Sequence, residues 1–219
     1  MIVLSFLPKL LGGALVTLKL TALSALVALG VSLGVGILRL SRWQAVRGLA
    51  LLYVEIFRGT SALVQIFYFF FVLPLLGIRL SPLTAGVLAL GLNFGSYGSE
   101  VVRAAILNVP RGQREAAIAL NLSRATTLRR IILPQAFVAM LPPFGNLLID
   151  LLKSTSLLSL ITLSDLTFAG KVIVQGQGHV TDVYVLVLLI YFVMAFLLGR
   201  FMREAERRVS RGLHLGPAQ

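Results

Sequence analysis

A few polar and ionisable side chains stand inside long apolar stretches of this sequence. Asp150 and Lys153 are spaced i and i+3, so one face of a helix could hold both. Ser154 and Ser156 follow, and unwound backbone there could offer carbonyl and hydroxyl ligands. Since ionisable groups inside a bilayer are costly, such groups are candidates for binding a polar solute. The same pair could also do no more than neutralise its own charge at an interface.

A second polar face falls on the apolar stretch at residues 82–103. Asn93, Tyr97 and Glu100 recur at spacings of four and three, and Ser96 lies beside them. We interpret these side chains as a second part of a pathway for a polar solute.

Glu55 and Arg58 form a third candidate pair, for which solute binding and simple charge neutralisation are again both open. Glycines in the neighbouring apolar stretches are expected to permit close helix packing rather than to bind a ligand. These glycines are Gly30, Gly34, Gly91, Gly95 and Gly98.

One segment outside the apolar stretches is rich in alanine and arginine. Residues 113–120 predict a helix of about two turns. Asn121 is suited to a left-handed turn after that helix, and Ser123 can cap a second short helix. The small side chains of Ala116 and Ala117 would allow close docking of a partner. Composition alone also allows the segment to lie on anionic lipid as an amphipathic surface.

Other chemistry finds little support in the residues. The sequence has no G-x-x-x-x-G-K-[ST] phosphate-binding loop, so we do not expect it to hydrolyse ATP. Its two histidines are far apart, and neither has a glutamate or histidine at metal-ligand spacing. It has no cysteine, which excludes disulfides and cysteine nucleophiles. We therefore predict no catalytic residue, no metal site and no cofactor bound by this chain.

The candidate residues must be positioned by helices that cross a membrane. Hydrophobic residues make up 58% of the 219 positions and charged residues 13%, with a mean hydropathy of +0.93. These values exclude an ordinary soluble domain and a disordered chain. Five stretches approach the roughly 20 apolar residues that a spanning helix needs. The predicted spans are residues 10–38, 49–73, 82–103, 131–152 and 183–203. A shorter apolar stretch, residues 154–164, fits a re-entrant or interfacial segment better.

The positions of the lysines and arginines predict how these spans are oriented in the membrane. Most of the 20 basic residues fall in the segments after the first, third and fifth predicted spans. The positive-inside rule makes that side cytoplasmic. We therefore predict an all-α integral membrane protein of five transmembrane helices, one domain over residues 1–219, with its N-terminus outside and its C-terminus in the cytoplasm. The net charge of +12 is then explained by topology, and no nucleic-acid partner is expected.

Several motifs resemble those of a known transporter family. The string EAAIALN, followed after nine residues by Ile131, Leu133 and Pro134, resembles the cytoplasmic EAA loop of bacterial ABC-importer permeases. Three further stretches resemble the polar amino-acid (His/Gln/Arg/opine-type) branch of that family: EIFRGTSALVQIFYFF at 55–70, EVVRAAI at 100–106 and GNLLIDLLKSTSLLSLITLSDL at 145–166. Two positions depart from the family pattern, Asn121 where glycine is usual and Ser61 where proline is usual.

The resemblance implies a type I ABC-importer permease fold in the bacterial inner membrane. It implies a second permease subunit (identical or homologous), two ABC ATPase subunits that use ATP and magnesium, an extracytoplasmic solute-binding protein and contact with membrane lipid. The loop at 109–134 would couple the permease to the ATPase. The coupling residues expected from the motif are Gly112, Glu115, Ala116, Ala117, Asn121, Ile131, Leu133 and Pro134.

The resemblance further implies a small polar solute, an amino acid or an amino-acid derivative. Residues 134–170 are also similar to permeases for ectoine-type compatible solutes, including hydroxyectoine. The substrate-pathway residues expected are Asn93, Ser96, Tyr97, Glu100, Asp150, Lys153, Ser154 and Ser156. The alternative function is a stand-alone channel or secondary transporter that uses the same polar residues. Inverted repeats would favour that alternative, but the two halves show no convincing self-similarity.

Overall fold

The computed structural model describes the backbone of residues 2–212 and the side chains of residues 6–209, and all regular structure in that range is helical. The all-α prediction is confirmed. The α-helices are α1 (Ile2–Leu38), α2 (Gln44–Gly59), α3 (Ala62–Phe67), α4 (Pro82–Leu107), α5 (Arg111–Ala119), α6 (Arg124–Thr127), α7 (Leu133–Ser154), α8 (Leu166–Gln177) and α9 (Val180–Gly212). Short π-helical and 3₁₀ segments extend α3 through Tyr68–Val72 and Leu73–Leu76, precede α7 at Leu128–Ile132 and follow it at Thr155–Ile161.

Within the described residues, three helical stretches are long and apolar enough to cross a membrane: Phe6–Leu38, Arg124–Ile161 and Val180–Val209. They overlap the first, fourth and fifth predicted spans. A fourth is added if α2 and the helix that continues to Leu76 are counted as one broken span. α4 corresponds to the third predicted span and packs against α1, α2, α3 and α7 at the centre of the bundle. Five spans are therefore reached only if α4 is counted as a span and the bent pair of helices is counted as one more.

The chain over the second predicted span, residues 49–73, is not one straight helix. α2 ends at Gly59, and the chain bends by 102° before it continues from Ala62. Thr60 and Ser61 have extended backbone at the bend. Glycine, threonine and serine in succession favour this interruption, since the hydroxyl groups compete for backbone partners. The Thr60 hydroxyl donates to the Ile56 carbonyl oxygen at 2.7 Å.

α1 and α4 approach closely because α4 presents glycines to α1. A methyl group added at Gly91 would lie 2.6 Å from Val27 Cγ1, and one added at Gly95 would lie 2.7 Å from Val31 Cγ1. The two backbones could not keep their separation with either methyl in place. The Ser32 hydroxyl also crosses the interface and lies 3.2 Å from the Gly95 carbonyl oxygen. The expectation that glycines permit close packing is confirmed on α4.

The glycines of α1 differ from the expectation. Methyl groups added at Gly30 and Gly34 would have no atom within 4 Å, so these two glycines do not bring the helices together. Gly36 does, since its methyl would lie 2.7 Å from Val102 Cβ. The sequence identifies the glycines, but only the packing shows which of them face a neighbour.

α8, which follows the 3₁₀ helix at the end of α7, packs against α1 and α9. That 3₁₀ helix leads to Asp165, which is fully buried and caps α8. Asp165 Oδ1 accepts a hydrogen bond from the Phe168 backbone N–H at 2.9 Å, and Oδ2 accepts one from the Tyr191 hydroxyl at 3.4 Å. Burial raises the pKa of this carboxyl group to about 6, although these donors oppose the shift. Most of the short apolar stretch at 154–164 continues α7 as a 3₁₀ helix to Ile161 and is not a separate spanning helix.

Replacing Gly95 with alanine should lower the thermal stability of the protein in detergent by several degrees, because the new methyl group must displace Val31. Alanine favours a helix by about 1 kcal/mol over glycine, so any net loss reports the overpacking. The matched control is Gly34→Ala, where the neighbouring space is open. Size-exclusion chromatography after heating measures both variants, and equal stability would contradict this account of the α1–α4 contact.

Candidate functional site

The 109–134 loop contains the two short helices that the sequence predicts. α5 is followed by Asn121 at φ 53°, in the left-handed region that asparagine tolerates. The Leu122 N–H donates to the Ala117 carbonyl oxygen at 3.0 Å and closes this turn. Ser123 then caps α6, because its hydroxyl oxygen accepts the Thr126 N–H at 3.2 Å. The predicted turn and cap are both confirmed.

The base of the 109–134 loop is fixed to α4 and α7. Val102 and Ile106 of α4 pack with Ile132 and Met140 in one buried apolar cluster. Arg114 Nη2 donates to the Ile106 carbonyl oxygen at 3.0 Å. That carbonyl is one of those that the end of a helix leaves without a helical partner. Arg114 therefore joins α5 directly to the C-terminal end of α4.

The outer surface of the loop differs from the expectation at one alanine. Ala116 is exposed, but Ala117 is fully buried inside the chain and cannot face a partner. Two bulky apolar side chains are exposed in its place, Ile118 at 74% and Leu120 at 72%. Sequence reasoning missed both, although large apolar side chains in a polar segment signal a docking surface.

The remaining motif residues of the loop divide into two groups. Gly112 and Glu115 are exposed on the surface that carries Ala116. Ile131, Leu133 and Pro134 are only partly exposed and lie where the loop enters α7. These three residues belong to the base of the loop, and its outer surface is made by α5 and the turn after it.

Asn93 and Gln65 hold the bend between α2 and α3. Asn93 Nδ2 donates to the Phe57 carbonyl oxygen at 2.9 Å and to Gln65 Oε1 at 3.1 Å. Gln65 Nε2 donates to the same Phe57 oxygen at 2.9 Å and to Thr60 Oγ1 at 2.7 Å. Both amides are buried. They satisfy a carbonyl that the end of α2 leaves unpaired, so Asn93 fixes the backbone in this structure.

Sequence reasoning overlooked Gln65. An amide inside the otherwise apolar run at residues 62–67 was the available signal, since a polar group there needs a partner. Its partner could not be identified from the sequence, because Asn93 is 28 residues away.

Glu100 is surrounded by arginines. Its carboxylate oxygens lie 2.7 Å from Arg39 Nη1, 3.2 Å from Arg103 Nε and 3.5 Å from Arg58 Nη1. Arg58 also lies over the ring of Tyr97, 5.2 Å from its centroid. One carboxylate of α4 thus joins α1, α2 and its own helix.

Two expectations for this region need correction. The pair of Glu55 with Arg58 is wrong: within the described residues Arg58 pairs with Glu100, because α2 packs on α4. Ser96 is fully buried, and its hydroxyl donates to the Asn93 carbonyl oxygen at 2.6 Å. It therefore supports its own helix and does not lie on the exposed polar face.

Asp150 and Lys153 pair on the exposed side of α7, with Oδ1 and Nζ 3.4 Å apart. The predicted contact at i and i+3 is confirmed. The backbone after Ser154 is not unwound, since a 3₁₀ helix follows, and the Ser156 hydroxyl donates to the Lys153 carbonyl oxygen at 2.8 Å. Within the described part of the chain, no hydrogen bond or ion pair joins this pair to the polar face of α4.

Comparisons of sequence relate the chain to membrane transport proteins. Residues 7–211 match the family described as "Binding-protein-dependent transport system inner membrane component". A probable amino-acid ABC transporter permease of Sinorhizobium fredii, y4tF, is 50% identical over 91% of this chain and 86% of its own. The L-cystine transport system permease TcyB of Bacillus subtilis is 38% identical over 94% and 89%, and the glutamine transport system permease GlnP of Escherichia coli is 36% identical over 93% and 94%.

Solved structures show the same arrangement of helices. The crystal structure of an amino acid ABC transporter with histidines contains a chain that superposes with a TM-score of 0.89 at 33% identity, covering 94% of this chain and 96% of that one. The MetNI methionine ABC transporter in an inward-facing conformation gives a TM-score of 0.76 at 20% identity, covering 93% and 97%. The second similarity supports the fold alone.

Replacing Gln65 with leucine should destabilise the protein, because Asn93, Thr60 and the Phe57 carbonyl each lose a buried partner. Each hydrogen bond lost costs about 0.5–1.5 kcal/mol. The control is Gln175→Leu on α8, where the side chain is exposed. Adding Asn93→Leu should cost less than the sum of the single changes, since each single change already breaks the hydrogen bond between the two amides. Thermal melting in detergent measures all four proteins, and strictly additive losses would contradict a shared network.

Proposed function

The chain belongs to the family of binding-protein-dependent transport system inner membrane components, and from that premise we propose that it carries an amino acid or an amino-acid derivative. It is a permease subunit of an ABC importer, a transport subunit of the inner membrane and not an enzyme. Such a subunit works with a partner ATPase.

We propose a complex of two permease subunits, identical or homologous, and two ATPase subunits that use ATP and magnesium. An extracytoplasmic solute-binding protein would deliver the solute. The exposed charges of this chain support a second permease subunit. Arg58, Glu100, Asp150 and Lys153 all reach the surface of helices that are otherwise apolar. Charges in such positions face water or protein rather than lipid, and one chain alone does not enclose them.

The structure of the 109–134 loop is the observation that supports its proposed role in coupling the permease to the ATPase. Its base is held by Arg114 and a buried apolar cluster, while Ile118 and Leu120 are exposed at its tip. Two large apolar side chains beside the small Ala116 make a surface suited to a cleft in a partner. We assign the ATPase contact to this surface, with Gly112, Glu115 and Asn121 at its edges. The three partly exposed motif residues at the base transmit the movement.

The proposed solute pathway runs along the exposed polar side chains of α4 and α7. Tyr97 and Glu100 are partly exposed on α4, and Asp150 and Lys153 are exposed on α7. The nearby bend at Thr60 and Ser61 supports the same location, because non-helical backbone in a membrane is tolerated only inside protein or beside a water-filled cavity. The buried side chains of Asn93 and Ser96 stabilise α4 beneath this surface, and Ser154 and Ser156 continue it at the end of α7.

We propose that the 109–134 loop and the C-terminus are cytoplasmic and that the N-terminus is outside. The exposed arginines of the loop support this orientation, and so do those at the end of α9. They include Arg111, Arg124, Arg129, Arg130, Arg203 and Arg207.

The proposed solute is a zwitterion. The relatives are named for amino acids, L-cystine and glutamine, and a further permease, 37% identical over 91% of this chain, is named for nopaline. An ectoine-type compatible solute has the same charge pattern and remains a narrower proposal. No observation favours a stand-alone channel or secondary transporter, since the family depends on a binding protein.

Replacing Ala116 with aspartate should leave the permease inserted but abolish solute uptake. The variant places a carboxylate where we expect the ATPase to dock, and an unpaired charge buried there costs about 2 kcal/mol or more. Permease abundance, ATPase co-purification and uptake are measured on the same membranes. Ala116→Ser, which keeps the side chain small, is the matched control and should transport normally. Normal uptake with normal ATPase retention in Ala116→Asp would contradict the coupling role.

Neutralising Asp150 and Lys153 together should abolish uptake and leave the assembled complex in the membrane. If the pair only balances its own charge, the double variant should transport better than either single variant, because no unpaired charge remains. Uptake is measured for Asp150→Asn, Lys153→Gln and both changes combined. Near-normal transport by the double variant would remove the pair from the pathway.

A further inference from the structure

The arginines around Glu100 carry more charge than the carboxylate can neutralise. Three guanidinium groups lie within 3.5 Å of its oxygens, which leaves a surplus of positive charge at the junction of α1, α2 and α4. A surplus of this kind attracts an anion, provided that one of the three arginines can reach it.

Burial and distance decide which arginine is available. The Arg39 side chain is only 6% exposed and makes the shortest contact with Glu100, at 2.7 Å. Its charge is therefore committed to that carboxylate. Arg103 contacts Glu100 from the same helix through Nε. Arg58 is the most exposed of the three, at 42%, and contacts Glu100 only through Nη1 at 3.5 Å.

The other donor atoms of Arg58 are Nε and Nη2. In the described part of the chain, its Nε and Nη2 atoms have no hydrogen-bond partner. The guanidinium group lies over the Tyr97 ring, and this contact limits the orientation of the group. The Arg58 side chain nevertheless remains exposed. A planar guanidinium edge with two free N–H groups matches the two oxygens of a carboxylate.

The position of Arg58 places this edge beside the proposed pathway. Arg58 is in the last turn of α2, directly before the bend that Gln65 and Asn93 hold. Tyr97, its aromatic neighbour, is on the exposed polar face of α4. An exposed charge on a membrane helix faces water or protein and not lipid.

We propose that Arg58 binds a carboxylate group of the transported solute through its free guanidinium edge. Glu100 and Tyr97 position the guanidinium group, and the buried Arg39 neutralises Glu100 so that Arg58 keeps its attraction for the solute. The inference rests on the proposed function, since it names the chemical group of the solute that this part of the pathway recognises.

The experiment compares a solute that has the carboxylate with one that lacks it. The permease is purified with its ATPase subunits, placed in lipid nanodiscs without the binding protein, and titrated with radiolabelled L-glutamine, L-cystine and L-arginine. The tightest-binding of the three is then compared with its own α-carboxamide. Wild-type protein should prefer the carboxylate form by about tenfold or more, as expected for a charge-assisted pair.

Three variants separate recognition from structure. Arg58→Gln should reduce the preference to near one, and Arg58→Lys should keep part of it, since lysine retains the charge but not the planar edge. Arg103→Gln is the matched control, because Arg103 is similarly exposed at 37% and shares Glu100 but has no contact with Tyr97. It should keep the wild-type preference.

A full preference for the carboxylate in Arg58→Gln would overturn the inference. If that variant keeps the preference but loses the second permease subunit on native mass spectrometry, Arg58 belongs to a subunit contact instead. The complete complex with its binding protein is assayed for uptake in parallel. Uptake without a wild-type preference for the carboxylate form overturns the inference and leaves the proposed function intact. Absence of amino-acid uptake overturns both.

Discussion

The close contact between α1 and α4 determines where the candidate functional residues of α4 lie. Glycines on one side of α4 let α1 approach until the side chains of α1 contact the backbone of α4. That contact occupies one face of α4 and leaves the face with Tyr97 and Glu100 for α2 and the pathway. Arg39 follows directly from the end of α1, and the same contact brings it to Glu100. A bulky residue in place of the glycines would therefore move the polar face as well as the core.

The second constraint is that the N–H and C=O groups of an interrupted helix in a membrane must find hydrogen-bond partners. The bend between α2 and α3 frees the Phe57 carbonyl, and the amides of Gln65 and Asn93 both donate to it. These side chains fix the bend without a proline, so Ser61 fits at this position. The bend also gives Arg58 its position, because the last turn of α2 ends where the amides hold it.

Sequence reasoning succeeded where local interactions decide the structure. The turn at Asn121, the cap at Ser123 and the contact of Asp150 with Lys153 depend on residues a few positions apart, and all three were predicted. It failed where distant residues decide. The burial of Ala117, the choice of Glu100 over Glu55 by Arg58, and the open space at Gly30 all follow from which helices pack together. Helix packing of this kind leaves no pattern at short spacing in the sequence.

α4 connects the two ends of the proposed mechanism without an intermediate element. It is one unbroken helix of 26 residues, about 39 Å long. At its C-terminal end it is tied to the 109–134 loop through Arg114, and one turn or two earlier Glu100 binds Arg58. Further along, Asn93 holds the bend of α2. Because these contacts share a rigid helix, a shift of the loop on ATPase closure would change the positions of Arg58 and the bend together, so coupling needs no chain of separate side-chain movements.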